Sequence, residues 1–302
     1  MDLLLALAGA ILFAVGTVLQ QEEAKEADES QALSAGFLVQ LAKRPKWLIG
    51  IAADFLGFLC QAAALALGRL VVVQPILAAS ILFALPFGAR RSGVPVGRRR
   101  WAAAAVITLG LAVFLIVGDP SGGVEDATGR AWLISGGICL GVTGLLVLLG
   151  RGRPPAPRAA LLGAAAGVLF GLSAGLTKAT VEQLDEGVFQ IFTHWHLYGL
   201  IVVGYLSMTL SEAALQTGEL APALATQMTI DPIVSVLMGI FAFHESVHGT
   251  TVGAIVSFAA FALMMAGIVV LALGEPARTA PPGQPEVGDA APPGSASTSA
   301  AI

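Results

Sequence analysis

The chain has 302 residues, of which 56% are hydrophobic and only 12% are charged, and its net charge at pH 7 is −4. Soluble domains carry about twice that share of charged residues, so this composition excludes an ordinary soluble protein. The small net charge gives no reason to expect a nucleic-acid partner. We therefore expect an all-α integral membrane protein.

Nine apolar segments are long enough to cross a bilayer, which takes about 20 residues for a hydrocarbon core of ~30 Å. They leave no room for a second, soluble domain, so residues 1–275 are predicted to form one polytopic domain. The segments, in chain order, are Asp2–Gln20, Trp47–Leu67, Leu70–Gly88, Trp101–Gly118, Ala131–Gly150, Ala159–Val181, His196–Gln216, Leu220–Phe243 and Thr250–Leu273.

The ends of the chain and its cysteines add little chemistry. The first segment lacks a basic region before it, so we interpret it as a span and not as a signal peptide. Cys60 and Cys139 both lie inside apolar segments and do not suggest a disulfide framework. Residues 276–302 are rich in Pro, Ala, Gly and Ser, which predicts a disordered tail.

Basic residues between the segments predict the orientation, because cytoplasmic connections are enriched in Lys and Arg. They follow the first, third and fifth segments: Lys25, Lys43, Arg44 and Lys46; Arg90, Arg91, Arg98, Arg99 and Arg100; and Arg151, Arg153 and Arg158. The opposite connections hold only Arg69 and Arg130. We therefore predict a multi-pass plasma-membrane protein with its N-terminus outside and its tail in the cytoplasm.

Four short matches in a common order indicate an internal repeat. They pair Phe13–Gly16 with Phe170–Ser173, Ala64–Leu70 with Ala214–Leu220, Gln74-Pro75 with Asp231-Pro232, and Gly118–Pro120 with Gly274–Pro276. The two halves would span residues 1–120 and 131–275, and the repeat pairs the first four segments with the last four, so that the fifth segment has no counterpart. Because five segments separate equivalent helices, the halves would have opposite polarity, as in many secondary transporters.

These residues resemble a known family. The pattern Ala-Leu-x-x-Gly-x-Leu before a proline-bearing segment, followed by Phe243-His244-Glu245, Val252-Gly253 and Gly267, resembles the EamA-type half of drug/metabolite transporters. The segment Leu70–Ala89 is similar to the corresponding span of the NIPA-like magnesium transporter branch. The resemblance implies an inverted-repeat transporter without cofactor or catalytic residue. The first half has Gly88-Ala89 where the second has Glu245, so any role of this glutamate is confined to one half.

An aspartate and a proline stand inside the eighth segment, at Asp231-Pro232. Asp is a favoured N-cap and Pro a favoured first helical residue, so the pair predicts a helix that restarts within the membrane. Pro75 and Pro232 are accordingly predicted to break their helices. Asp231 either caps the second half-helix only or also lines a cavity, since acids within spans commonly mark pathways.

Further polar residues at spanning depth are candidates for a binding site: Asp54, Glu212, Gln61, Gln74 and Gln227. In the alternative interpretation, the two acids lie near helix ends and reach interfacial water, and the glutamines serve helix packing. Gln20 and Lys178 end equivalent segments and could line the two mouths of a pathway. For Lys178 we favour a side chain that extends outward to the interface.

His244-Glu245-Ser246-Val247-His248 matches the HExxH motif of zinc proteases and provides a rival hypothesis. A zincin needs both histidines on one helix and a third ligand elsewhere, and no third-ligand motif is recognisable. We therefore expect no enzyme and no bound metal cofactor. Two glycine series, Gly136 to Gly144 and Gly163 to Gly171, are most simply explained by close helix packing.

A phosphate-binding Gly-Lys-Ser/Thr loop is missing from the sequence, so we expect secondary transport without ATP hydrolysis. The partners would be the bilayer and a small solute or cation, with a homodimer left open. A cavity that presents Asp54, Glu212 and Asp231 with glutamine amides could hold a magnesium ion. Three acids on different helices need not converge, so a small solute comes first and magnesium second.

Overall fold

The computed structural model describes residues 1–25, 44–93, 95–124, 126–187, 189–247 and 250–273. Within these residues, nine helical segments are long and apolar enough to cross a bilayer, which is compatible with the predicted all-α membrane protein. The predicted tail 276–302, the Gly274–Pro276 repeat match, Lys43 and His248 lie outside the described residues.

The helices begin and end within a few residues of the predicted segments. They are α1 (Asp2–Lys25), α2 (Pro45–Leu67), α3 (Leu70–Ala78), α4 (Ile81–Ser92), α5 (Arg98–Gly118), α6 (Gly129–Gly150), α7 (Pro155–Glu182), α8 (Trp195–Leu215), α9 (Leu220–Phe241) and α10 (Thr251–Ala272). Two 3₁₀ turns, Gln183–Glu186 and Gln190–Phe192, connect α7 to α8. Two short strands, β1 (Ser121–Gly122) and β2 (Glu245–Ser246), pair in antiparallel fashion.

Local sequence explains where several helices start. Pro45 and Pro155 stand in the first turn of α2 and α7, where the missing N–H costs no helical hydrogen bond. The Thr128 hydroxyl accepts from the Ala131 N–H at the start of α6, and the Thr250 hydroxyl accepts from the Gly253 N–H at the start of α10. The chain thus marks its re-entry into the membrane with ordinary capping chemistry.

Helix packing follows the order of the sequence within each half of the chain. Helix α1 packs against α2, α3 and α4, and α7 packs against α8 and α9 in the corresponding way. Two contacts join the halves most directly, namely α5 with α10 and α3 with α9. Helix α6 packs mainly on α7 and lies at the edge of the bundle.

The two glycine series behave differently. A Cβ added at Gly163 would lie 2.3 Å from the backbone oxygen of Ala223, and Cβ atoms at Gly167 and Gly171 would also overlap atoms of α9. This series confirms close packing of α7 on α9. At Gly136, Gly137, Gly141 and Gly144 a Cβ would meet nothing within 4 Å. The packing interpretation of that series is wrong within the described chain, because this face of α6 has no helix against it.

The contrast predicts opposite outcomes for two similar substitutions. Gly163→Ala should lower the Tm of the purified protein by several degrees, since backbone must move and overpacking costs about 1–3 kcal/mol. The matched control Gly141→Ala places the same methyl group in open space and should leave the Tm unchanged or slightly raised. Equal losses at both positions would contradict the packing of α7 on α9.

The predicted orientation can be tested with single cysteines in a background without Cys60 and Cys139. Pro95, in the connection after α4, is exposed, and so is Val124, after α5, at 42%. Gly123 would be a poor reporter, because its φ is 107° and a Cβ there would press on Glu245. An impermeant maleimide added to intact cells should label Val124→Cys and leave Pro95→Cys unlabelled. The reverse pattern would invert the topology.

Candidate functional site

Helix α9 places a carboxylate halfway across the membrane. Asp231 lies eleven residues after Leu220 and ten before Phe241, about 15 Å from either end at 1.5 Å per residue. Its side chain is half-buried, and the Ser235 hydroxyl, one turn away, donates to its Oδ1 at 3.3 Å. An acid at this depth is costly in a passive anchor, so its position favours a functional role.

Asp231 does not cap a half-helix, and the prediction that Pro232 breaks its helix is wrong. Helix α9 runs without interruption from Leu220 to Phe241 with Pro232 inside it. Proline removes the hydrogen bond that its N–H would have given and crowds the carbonyl one turn earlier, which kinks some helices and ends others. The close contact of the α7 glycines with α9 holds the helix together on both sides of that point. The Asp231 carboxylate is therefore not committed to backbone N–H groups at a helix start.

Gln227 lies one turn before Asp231 on the same face of α9. The Ser211 hydroxyl of α8 donates to its Oε1 at 2.8 Å, and the residue is half-buried. The same part of α9 thus presents an amide, a carboxylate and a hydroxyl in successive turns. Gln227 also joins α8 to α9, so the two interpretations of this residue, packing and binding, are both compatible with its position.

Gln74 is buried, with 4% of its surface exposed, and its Nε2 has no hydrogen-bond partner among the described residues. A buried donor without a partner costs free energy, which favours a place that receives an oxygen atom from elsewhere. Helix α3, which carries Gln74, packs against α9. Gln74 and Asp231 therefore lie on the pair of helices where the halves of the chain meet.

Pro75 also fails to break its helix. It lies inside α3, and the interruption comes at Ala79 and Ser80, where Ser80 N–H bonds to Leu77 O at 2.9 Å in a tight 3₁₀ turn. Counted from Leu70 and Leu220, Gln74 is the fifth residue and Asp231 the twelfth. The predicted equivalence of the two dipeptides is therefore wrong. The break at Ala79–Ser80 lies at the depth that Asp231 occupies in the other half.

Asp54 and Gln20 form a second polar pair, between α2 and α1. The Gln20 amide donates to Asp54 Oδ2, both side chains are half-buried, and the carboxylate packs against Gly16. Asp54 lies about 14 Å from the start of α2, well inside the membrane. Gln61 is half-buried two turns further along α2. Gln20 of α1 therefore engages Asp54 of α2 inside the bundle, before α1 ends at Lys25. The role of Gln20 at a pathway mouth stays a prediction.

Glu212 lies on the surface of the helix bundle, unlike the half-buried polar residues described above. It is exposed and lies in the last turn of α8, with Gln216 also exposed beside it. The alternative, an acid near a helix end that reaches interfacial water, describes its position. In the described part of the chain, no three His, Cys, Asp or Glu side chains lie close enough to hold a metal ion. The sequence left open whether Asp54, Glu212 and Asp231 share one cavity, and among the described residues they do not gather.

Lys178 does not extend to the interface, contrary to the favoured prediction. Only 6% of its surface is exposed, and its Nζ donates to Gly68 O and to Glu182 Oε1, each at 3.1 Å. The ammonium also lies 5.8 Å from the centre of the Phe243 ring. A carbonyl from the α2–α3 turn and a carboxylate from its own helix satisfy this cation inside the protein. Lys178 thus joins α7 to the first half of the chain.

Glu245 makes a second connection beside Lys178. Its carboxylate accepts from Leu70 N–H at 2.9 Å and from Val71 N–H at 2.8 Å, and only 2% of the residue is exposed. Helix α3 has no side-chain cap of its own, so a glutamate from the other half satisfies its first donors. Burial raises the pKa of Glu245, while the bonds from Val71 and Leu70 and the charges of Lys178 and Arg69 oppose that shift.

These contacts form a structure that we name the outer latch, consisting of Gly68, Arg69, Lys178, Glu182 and Glu245 with the β1–β2 pair. Arg69 Nε donates to Gly122 O at 2.9 Å, and Gly122 pairs with Glu245. The latch fastens the α2–α3 turn of the first half to α7 and β2 of the second half. It lies at the end of the bundle that the predicted orientation places outside.

The third predicted segment is divided into α3, which lies beside the outer latch, and α4, which is less completely buried. All residues from Leu70 to Leu77 of α3 are buried, whereas every residue from Ile81 to Ala89 of α4 is half-buried. Ile81, Leu82 and Leu85 of α4 still pack against the core, but no residue of α4 is fully covered within the described chain. Helix α3, which lies next to the latch, is therefore more completely buried than α4.

The HExxH hypothesis requires a helix at this motif, and the structure has a short strand there. Glu245 and Ser246 form β2 and not a helix, and His244 is exposed with a positive φ of 54°. His248 lies outside the described residues. The backbone that zinc proteases use to align their two ligands is thus missing at Glu245.

Sequence reasoning identified Glu245 only as a feature of one repeat and did not connect it to α3. The signal was available in part, because Gly68-Arg69-Leu70 opens a helix without a capping side chain. Nothing in the sequence shows that a residue 175 positions away provides the cap. Ser211 and Ser235 were missed for the same reason, since single serines in an apolar helix carry no pattern.

Comparison with known proteins finds a relative that matches most of the chain, and that relative is itself uncharacterized. An uncharacterized protein of Corynebacterium glutamicum is 29% identical over 243 residues, which cover 80% of this chain and 84% of that protein. No protein-family model matches the chain, and no solved structure matches it. The similarity spans most of both chains, so the membrane domain as a whole has a relative.

Proposed function

We propose that this protein is a secondary transporter of a small solute that works by alternating access, in the manner of the drug/metabolite transporters that its sequence resembles. The observation that carries the proposal is Asp231, a half-buried carboxylate at the middle of α9 with one hydroxyl partner among the described residues. A solute with a cationic or hydrogen-bond-donating group would supply the missing partners.

The arrangement of helices supports this proposal. The contacts of α1 with α2, α3 and α4 correspond to those of α7 with α8 and α9, and the pairs α3–α9 and α5–α10 join the two groups. Two halves of opposite polarity that meet at such pairs could rock against each other about a central site. Asp231 and Gln74 lie on α9 and α3, at that contact.

The two ends of the bundle suggest which state is present. The outer latch fastens one end, while α4 at the other end is half-buried throughout. This asymmetry corresponds to an inward-facing state of a transporter, with Gln20 and Asp54 near the open end. Transport in this scheme requires the latch to open while the inner half closes.

Magnesium is the second candidate, and no feature of the described residues favours it. The three acids that would have formed its site do not gather. A magnesium site with one carboxylate and several retained waters at Asp231 would still satisfy the ion, so the ion belongs in the test.

The experiment is a thermal-shift screen of the purified protein against metal ions and metabolites, followed by uptake of each stabilising compound into proteoliposomes. A bound solute raises the apparent stability by RT ln(1 + [L]/Kd). An organic solute that both stabilises the protein and crosses the reconstituted membrane would support the proposal. A shift with magnesium alone would favour the second candidate, and a protein that moves nothing it binds would contradict transport.

A further inference from the structure

A groove of about 660 Å³ runs between α6, α7 and α9, apart from Asp231 and Gln74. Its walls are apolar: Ile134, Ile138 and Val142 of α6 face Val234 and Phe241 of α9, with Val168 of α7 at the base. The volume falls in the usual range of small-ligand sites. Several wall residues are exposed to the bilayer side, including Ile138 at 60% and Phe241 at 72%.

The length of the groove matches one leaflet of the bilayer. From Arg130 at its mouth to Val142 the wall of α6 descends twelve residues, about 18 Å. Half of the hydrocarbon core is about 15 Å thick. A chain that enters at the level of Arg130 would thus extend to the middle of the membrane. This depth suits an acyl chain and exceeds what a compact metabolite needs.

The mouth of the groove is basic. Arg130 is exposed and its guanidinium has no hydrogen-bond or ion-pair partner in the described part of the chain. His244 lies across the mouth and is also exposed, held there by a left-handed backbone that non-glycine residues seldom adopt. Arg binds phosphate oxygens through two parallel N–H donors, so the mouth is complementary to a phosphate headgroup.

We propose that this groove is a binding site for an anionic phospholipid, with the phosphate at Arg130 and His244 and an acyl chain along Ile134, Ile138 and Val142. The site lies beside α9, the helix that carries Asp231, and does not depend on the transport proposal. An apolar groove alone would accept any lipid chain, whereas an exposed guanidinium at its mouth selects by headgroup charge.

The test measures the Tm of the full-length protein in neutral detergent with phosphatidylglycerol or phosphatidylcholine of the same chains. Phosphatidylglycerol should stabilise the protein more, and Arg130→Gln should weaken that binding by about tenfold. Arg151→Gln, an exposed arginine beyond the other end of α6, is the matched control and should bind like the wild type.

Two further arms identify the source of the effect. Ile138→Trp, at an exposed wall position, should fill the groove and reduce the shift without loss of a monodisperse fold. Glycerol phosphate and inorganic phosphate should give no shift, because they lack the chain. Equal stabilisation by both lipids, a shift with phosphate alone, or unchanged binding by Arg130→Gln would each overturn the proposal.

Discussion

Asp231→Asn should abolish or strongly reduce uptake of the solute that the screen identifies. Asn keeps the size of the side chain and can still accept from Ser235, but it removes the charge. A charged hydrogen bond contributes about 1.5–3 kcal/mol, so binding should weaken by roughly 10- to 150-fold. The measurement is the initial uptake rate in proteoliposomes together with the thermal shift caused by the solute.

Glu212→Gln is the matched control for this substitution. It also converts one acid on a spanning helix to its amide, but Glu212 is exposed in the last turn of α8. We expect its uptake and thermal shift to equal those of the wild type. If the two variants lose uptake equally, or if Asp231→Asn transports normally, Asp231 is not part of the site and the proposed function loses its main support.

The spans themselves were predictable because hydrophobic length is a property of consecutive residues. Segments such as Asp2–Gln20 and Thr250–Leu273 were located to within one residue of the final spans. Nothing more than composition and the thickness of the bilayer is needed for this. The depth of Asp231 followed directly, since its position within a spanning segment fixes its distance from the two surfaces.

The prolines show where local reasoning fails. Pro75 and Pro232 carry a strong local signal, yet α3 and α9 continue through both residues, and the break at Ala79–Ser80 has no proline or glycine. Whether a helix continues through a proline depends here on the neighbouring helices that pack against it. The glycines of α7 pack closely on α9 around Pro232, and a sequence shows the glycines without showing which helix they contact.

Lys178 and Glu245 were placed incorrectly or incompletely for a related reason. The partners of Lys178 and Glu245 in the first half, Gly68 O and the N–H groups of Leu70 and Val71, are backbone atoms more than 100 residues away. A backbone carbonyl or N–H is available at almost every residue, so the sequence offers no complementary charge to search for. The default for a lone lysine near a helix end, extension to the interface, was wrong because of this.

The contacts of Glu245 and Lys178 allow a test of whether the outer latch acts as a gate on the outer side of the bundle. Glu245→Ala removes the acceptor for two buried N–H groups, each of which costs about 1–3 kcal/mol when left unpaired. The latched state should therefore lose population by at least roughly tenfold relative to an outward-open state. Glu245→Gln keeps one acceptor oxygen and should have an intermediate effect.

A reporter under the latch would measure this shift. Thr177 is 2% exposed and precedes Lys178, and cysteine is close to threonine in size. In a background without Cys60 and Cys139, an impermeant maleimide added from outside should label Thr177→Cys slowly. Glu245→Ala should accelerate the labelling at least about tenfold. Replacing the exposed neighbour, His244→Gln, should leave the rate unchanged, and an equal acceleration there would indicate general loosening of the loop.

The labelling rate should also depend on pH, with a sign that follows from the pKa of Glu245. Burial raises that pKa in the latched state, whereas an open latch returns the carboxyl to water and to an ordinary value near 4.5. Between the two values the latched state binds more protons, so acid favours the latch and a rising pH favours opening.

The labelling rate of Thr177→Cys is divided by that of the exposed Val124→Cys at the same pH, because the thiolate is the reacting species and its fraction rises with pH. This ratio should increase as the pH rises through the raised pKa of Glu245 and then level off. Lys178, Glu182, Arg69 and Asp2 also face this region, and they remain in Glu245→Gln. If Glu245 is the titrating group, that ratio should be independent of pH in Glu245→Gln. A ratio that still depends on pH in Glu245→Gln would remove Glu245 from the role of gate.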